Sequence, residues 1–331
     1  METDHLTDRA TATAGPGLDL DPDIRRFVEM MGAGWAQHPP LNSVSCPEAR
    51  MIAETVREPW TRGGPTMHRT TEHFVPFEAG RIRIRVLDPS GECDQPALIY
   101  LHGGGWTMFS IDTHDRLMRE YAHRAQATVI AVDYSLSPEV RFPRALEECV
   151  AVVKWLGTHG SLLDIDAQRV AIGGDSAGGN LSLATALLLR DQGLGTALRG
   201  TLLNYGVFDS SRDFPSYSRF GGAGYMLGAS EMVDFWRNYV GGEGYTDDPL
   251  ACPLRAQLAG LPPAFLAIAE CDVLRDESVA MAERLRQFGV PVTAEVYKGA
   301  THSFLEAMSI STLANRAIDD GAAWLRSVLR D

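Results

Sequence analysis

The sequence predicts an α/β protein built on a mostly parallel sheet with helices on both faces. Short apolar runs of strand length recur between residues 97 and 297, and helical patterns fall between them. The runs are nearly continuous rather than alternating, which is how strands buried on both faces read. Eight strand candidates in this rhythm make one sheet with helices on either side.

Taken in order, residues 1–20 are polar, acidic and rich in Thr and Ala, and read as a disordered tail. A helical pattern follows at about 21–37, with Asp21 as N-cap before Pro22 and Ile24, Phe27, Val28, Met31 and Trp35 along one side. A second lies at about 47–57, and Pro59, Gly63, Gly64 and Pro65 mark a loop over 59–66. Segments 72–78 and 81–87 read as an antiparallel pair joined at Ala79 and Gly80; Ile82, Ile84 and Val86 alternate with Arg81, Arg83 and Arg85. The other strand candidates are 97–101, 128–133, 169–173, 200–205, 264–269 and 292–297. Helices are expected at about 112–125, 143–157, 177–191, 277–288 and 310–329.

Residues 206–262 break the rhythm. They are rich in Gly and aromatic side chains, with one clear helix near 230–240. An insertion at the C-terminal side of a sheet commonly covers a site, and with residues 18–57 it is expected to form a helical cap. The expected organisation is a tail and N-terminal cap helices over 1–66, then an α/β domain over 67–331 with a cap insertion around 206–250.

Length, at 331 residues, suits one large α/β domain with an accessory segment. Hydrophobic residues make up 45% and charged residues 22%, the ordinary mix of a soluble globular chain. The net charge of −13, with no offsetting Lys/Arg run, argues against nucleic acid and anionic membrane surfaces as partners. No stretch approaches the roughly 18 apolar residues of a membrane span. The N-terminus lacks a basic start followed by an apolar core, so no secretory signal is expected. Cys46, Cys93, Cys149, Cys252 and Cys271 are odd in number and scattered, so neither a disulfide framework nor a metal site is expected. A cytoplasmic location is the natural expectation.

Gly174-Asp175-Ser176-Ala177-Gly178 follows the strand at 169–173 and precedes a good helix. That is the strand–turn–helix setting in which a serine is held on a crowded turn with its hydroxyl exposed. The pattern alone is weak, because about 0.2 chance matches are expected at this composition. A glycine-rich turn packed closely on the sheet would read the same. His102-Gly103-Gly104-Gly105-Trp106 follows the strand at 97–101. Three glycines strip the segment of side chains, so its amides can approach a ligand and serve as oxyanion donors. Its chance expectation is only about 0.01, which makes it the stronger signal. The phosphate-loop patterns are absent near it.

A serine nucleophile needs a base, and the base needs an orienting carboxylate. His302 follows the strand at 292–297, and Asp272 follows that at 264–269. Both, like Ser176, leave the carboxyl ends of parallel strands, where open α/β sheets place their sites. The order Ser, Asp, His fits this strand–turn–helix arrangement. Glu270, Asp276 and Glu277 are rivals for the acid; Glu270 lies too near the strand end and Asp276 is placed to cap helix 277–288. The remaining histidines, His5, His38, His68, His73, His114, His123 and His159, show no link to that edge of the sheet.

The set His102-Gly103-Gly104-Gly105, Gly174-Asp175-Ser176-Ala177-Gly178-Gly179-Asn180, Asp272-Val273-Leu274-Arg275-Asp276-Glu277 and His302-Ser303-Phe304 resembles the hormone-sensitive-lipase-like esterases, bacterial family IV of the α/β-hydrolase fold. It looks closest to the acetyl esterases of that family. Asp112-Thr113-His114-Asp115-Arg116 and the stretch from Asp133 to Pro143 support the likeness, which covers about residues 72–330. It implies Ser176 as nucleophile, His302 as base and Asp272 as orienting acid. It also implies oxyanion donors at Gly104, Gly105 and Ala177, with Gly103 adjacent. The family's Asp-Pro-Leu reads Asp-Val-Leu here, which removes a rigid turn residue but no functional group. No cofactor or metal is implied. The expected activity is hydrolysis of short-chain acyl esters of small molecules through an acyl-enzyme. Amide cleavage, metabolite deacetylation or acyl transfer would use the same residues. A catalytically silent ligand-binding chain of this fold would lack the base, and His302 is present. A homodimer is possible through an exposed edge strand or the C-terminal helix.

Overall fold

A run such as residues 97–101 is stable only where both faces of the strand are covered. The computed structural model describes residues 19–78 and 80–330 and gives these runs that setting. Eight strands form one sheet: β1 (Arg69–Phe77), β2 (Gly80–Asp88), β3 (Gln95–Leu101), β4 (Thr128–Asp133), β5 (Ile165–Asp175), β6 (Gly200–Asn204), β7 (Ala264–Cys271) and β8 (Val292–Thr301). Their order is β1-β2-β4-β3-β5-β6-β7-β8; β2 pairs antiparallel with β1 and β4, and the rest pair in parallel. All eight expected strands are present.

The period-two alternation along β3 divides the core. Ala97, Ile99 and Leu101 face α4 (Arg144–His159), α5 (Ala177–Asp191) and α8 (Arg275–Gln287). Leu98 and Tyr100 face the other layer, made of α1 (Pro22–Trp35), α2 (Cys46–Thr61), α3 (Asp115–Ala125) and α9 (Thr312–Val328). Each fully buried Leu or Ile contributes roughly 1.5–3 kcal/mol of transfer free energy, so the two layers fix the sheet from both sides.

Register sets where the polar residues emerge. Leu101 pairs with Gly174, so His102 and Asp175 leave β3 and β5 at one level. Cys271 pairs with Thr301, so Asp272 and His302 leave β7 and β8 at one level as well.

Several boundaries differ from the sequence reading. The tail read at 1–20, His5 included, lies outside the described residues as far as residue 18; Leu20 is buried against Phe220 and Cys271. Asp21 does cap α1, accepting from the amides of Asp23 and Ile24. Helix α2 runs on through Pro59 to Thr61, where a loop was expected. Trp60 is buried there against Phe27, edge to face at 4.6 Å, and that packing outweighs the proline's helix-breaking cost. Helix α8 starts at Arg275 with Leu274 at its cap position, so Asp276 is not an N-cap. Its carboxylate instead accepts from the Ser216 amide at 2.9 Å. The insertion holds two helices rather than one, α6 (Pro215–Phe220) and α7 (Ala229–Val240). Among the described residues no helix is long and apolar enough to cross a membrane.

Candidate active site

Ser176 alone makes the turn between β5 and α5. Its φ of 54° and ψ of −118° lie where non-glycine residues rarely sit, at a cost of order 1–3 kcal/mol. The turn is held by its surroundings. The Ser176 amide donates to the Asn204 carbonyl at 2.9 Å, and the Ser176 carbonyl accepts from the Asn180 amide at 3.1 Å. A Cβ at Gly174 or Gly178 would fall on the Leu101 carbonyl oxygen, so both glycines are required by close approach of β3.

The structure brings Ser176, His302 and Asp272 together. His302 Nε2 lies 3.0 Å from Ser176 Oγ, and His302 Nδ1 lies 2.7 Å from Asp272 Oδ2. A carboxylate only accepts, so Nδ1 carries the proton and Nε2 is left to accept from the hydroxyl. Asp272 Oδ1 accepts from the Leu274 amide at 3.0 Å, which fixes the carboxylate's rotation. All three side chains are buried. The rival acids are engaged elsewhere. Glu270 accepts from the Gly299 amide, Asp276 from Ser216, and Glu277 from the amides of Phe208 and Asp209. Burial pushes the Glu277 carboxyl well above the usual range, against the pull of those two amides. Val273, where the family has proline, is buried, and its carbonyl accepts from Ser216 Oγ at 2.6 Å.

The glycine loop lies beside the serine, and one of its amides is occupied. Gly103 N–H donates to Asp175 Oδ1 at 3.1 Å, so Gly103, grouped with the oxyanion residues and read as adjacent to the donors, anchors the loop. Among the described residues the amides of Gly104, Gly105 and Ala177 meet no protein acceptor. Gly104 has φ +117° and a Cβ there would strike the Met108 carbonyl, so only glycine fits. The Gly103 carbonyl accepts from His102 Nδ1 at 2.7 Å. Burial, reinforced by the nearby His114 charge, pushes the His102 imidazole down to about 3, so the ring is neutral. In the trans peptide between Gly103 and Gly104, N–H and C=O point in opposite directions. Holding that carbonyl on His102 therefore aims the Gly104 amide away from the ring.

Sequence reasoning missed a group of buried charges under this loop. His114 was expected to have no link to the sheet's edge, yet its Nε2 lies 3.3 Å from Asp175 Oδ2 and 3.7 Å from Glu306 Oε1. Arg57 of α2 lies 3.6 Å from Glu306, and the Tyr100 hydroxyl donates to Asp175 Oδ1 at 3.0 Å. The Asp112-Thr113-His114 stretch was the available signal, though nothing local to it indicates a partner 61 residues on.

The insertion and the N-terminal helices meet over the loop. Phe235 of α7 packs where a Cβ of Gly105 would stand, and Trp106 stacks on Tyr239 with centroids 4.0 Å apart. Arg50 of α2 donates to the carbonyls of Thr107 and Ser137 and pairs with Glu139. Among the described residues no group of three or more His, Cys, Asp or Glu is placed to hold a metal ion.

Residues 98–306 match the family described as the α/β hydrolase fold. A thermophilic and thermostable carboxylesterase cloned from a metagenomic library is 33% identical and superposes with a TM-score of 0.84, over 87% of this chain and 99% of that one. The hyperthermophilic esterase of the archaeon Pyrobaculum calidifontis is 32% identical with a TM-score of 0.88, over 94% and 99%. A thermostable esterase from Pseudomonas putida is 31% identical with a TM-score of 0.89, over 96% and 100%.

Proposed function

The chain belongs to the α/β-hydrolase fold family, among its hormone-sensitive-lipase-like carboxylesterases, and we propose that it hydrolyses short-chain, acetyl-like esters with Ser176 as nucleophile. The observation that carries this reading is the unbroken relay from Asp272 through His302 to Ser176, at 2.7 and 3.0 Å. Ser176 Oγ attacks the ester carbonyl carbon as its proton passes to His302 Nε2. Negative charge gathers on the carbonyl oxygen, and the amides of Gly104, Gly105 and Ala177 receive it. Loss of one such donor typically raises the barrier by about 2.7–4 kcal/mol. Asp272 stabilises the imidazolium and keeps its tautomer. His302 Nε2–H then protonates the departing alcohol, leaving Ser176 acylated. Water then attacks the acyl carbon as its proton passes to His302, and collapse of this second intermediate returns the proton to Ser176 Oγ and releases the acid.

The N-terminal helices and the insertion act as the cap. A short acyl chain is favoured by the small apolar cluster they share with the loop, in which Trp35, Leu41, Val44, Phe109 and Phe235 pack around Ala49, Ala53 and Met108. Ser176→Ala should abolish p-nitrophenyl acetate turnover, by about 10⁶-fold in kcat, with the circular dichroism unchanged. Retained turnover in that variant would overturn the assignment. A chain-length maximum at decanoyl or beyond in the parent enzyme would overturn the short-chain preference.

A further inference from the structure

His114 is wholly buried, and each hydrogen-bond partner of its ring nitrogens stands as an acceptor. On one side Nε2 meets the carboxylates of Asp175 and Glu306. On the other, Nδ1 lies 2.9 Å from Thr113 Oγ1 and 3.3 Å from the Ser110 carbonyl. The Thr113 hydroxyl donates its own proton to that same carbonyl at 2.8 Å, so its oxygen faces the ring as an acceptor. Three acceptors lie within hydrogen-bond distance, Thr113 Oγ1 and the Ser110 carbonyl at Nδ1 and Asp175 Oδ2 at Nε2, and they are satisfied only when both nitrogens carry protons.

Charge balance requires the same state. Arg57, His114, Asp175 and Glu306 are each at most 2% exposed. They sum to zero when His114 is cationic and to a net negative charge when it is neutral. A net charge in so dry a setting is heavily penalised. The other titratable groups facing the ring are Glu54 on α2 and His102, whose ring centroid is 5.5 Å away. Burial works against the His114 charge, but Asp175 and then Glu306 outweigh it, and its affinity for a proton is raised.

The position of this quartet gives it a use. Asp175 precedes Ser176, Glu306 follows His302 by one turn, and Asp175 Oδ1 holds the Gly103 amide. We propose that His114 is a positioning residue: held as an imidazolium between Asp175 and Glu306, it keeps the Asp175 carboxylate seated on the Gly103 amide and so keeps the Gly104 and Gly105 amides aimed at the developing oxyanion. Without the cation, Asp175 takes up a proton or turns from Gly103, and the loop loses one of its two anchors. The other is the neutral His102. The effect falls on the transition state, because only there does charge reach the donors.

The proposal rests on the Ser176 reading of the site, and its test separates the two. His114→Gln should lower kcat on p-nitrophenyl acetate about 10- to 100-fold with KM within about twofold. Imidazole ¹⁵N resonances of the parent enzyme should show both His114 nitrogens protonated at pH 7. A neutral ring overturns the proposal, as does a folded His114→Gln variant with kcat within about threefold of the parent. A KM defect with unchanged kcat overturns it too. If the variant fails to fold, the resonance measurement decides alone. A parent enzyme that neither turns over ester nor reacts with a fluorophosphonate overturns the esterase reading instead, and the ¹⁵N spectrum still reports the ring.

Discussion

The edge of the sheet that carries Ser176, Asp272 and His302 and the cover above it are built by different means. At the edge, each functional side chain is the residue after a paired strand position, and backbone register sets its height. Buried hydrogen bonds of 2.7–3.1 Å then fix its rotation. The cover rests on aromatic contacts, such as Trp106 on Tyr239 and Phe235 on Gly105, and on the half-exposed Arg50 pairing. Register admits no small adjustment, since one step turns every side chain to the opposite face. Aromatic packing can shift by fractions of an ångström and re-form. The contrast predicts a chemistry that tolerates little change and a specificity that tolerates a good deal.

Asp272→Asn tests the rigid side with the largest effect. It keeps the shape but allows the wrong imidazole tautomer, and kcat should fall about 10⁴-fold with the melting temperature nearly unchanged. A loss under about tenfold would mean that the edge is far more forgiving than its geometry implies. Phe235→Ala tests the cover. The acetyl ester should lose less than about tenfold in kcat/KM, while the acyl-length optimum rises by about two carbons or more as space opens beside Gly105. An unchanged chain-length profile would remove Phe235 from the acyl site. Arg50→Ala should do least. Its partly exposed contacts with Thr107, Ser137 and Glu139 are expected to be worth about 1 kcal/mol in urea unfolding, with kcat close to the parent's.

The same division explains what could be read in the sequence. The eight strands and the convergence of Ser176, Asp272 and His302 were legible because each depends on a local pattern, an apolar run followed by a polar residue. The second insertion helix, Pro215–Phe220, has only six residues and too short a period to register. Helix α2 passes Pro59 because of a tertiary partner, Phe27, which no window around Pro59 contains. The Arg57, His114, Asp175 and Glu306 cluster draws one residue from each of four distant segments, so periodicity carries no trace of it. Gly103 was legible as part of a donor loop; its commitment to Asp175 required the three-dimensional partner.

Asp272 and His302 are 30 residues apart, yet the chain between them is a closed excursion: it leaves the edge at Cys271 and returns to the same level at Thr301. The separation of the two side chains is decided by that pairing and is indifferent to the path taken between. The far end of the excursion, around Gly289, is open, since a Cβ there would meet nothing within 4 Å. Helix α8 is pinned by its buried face, but the turn after it is free to grow or accept foreign sequence over generations, while Asp272 and His302 stay in register like facing teeth of a closed zip.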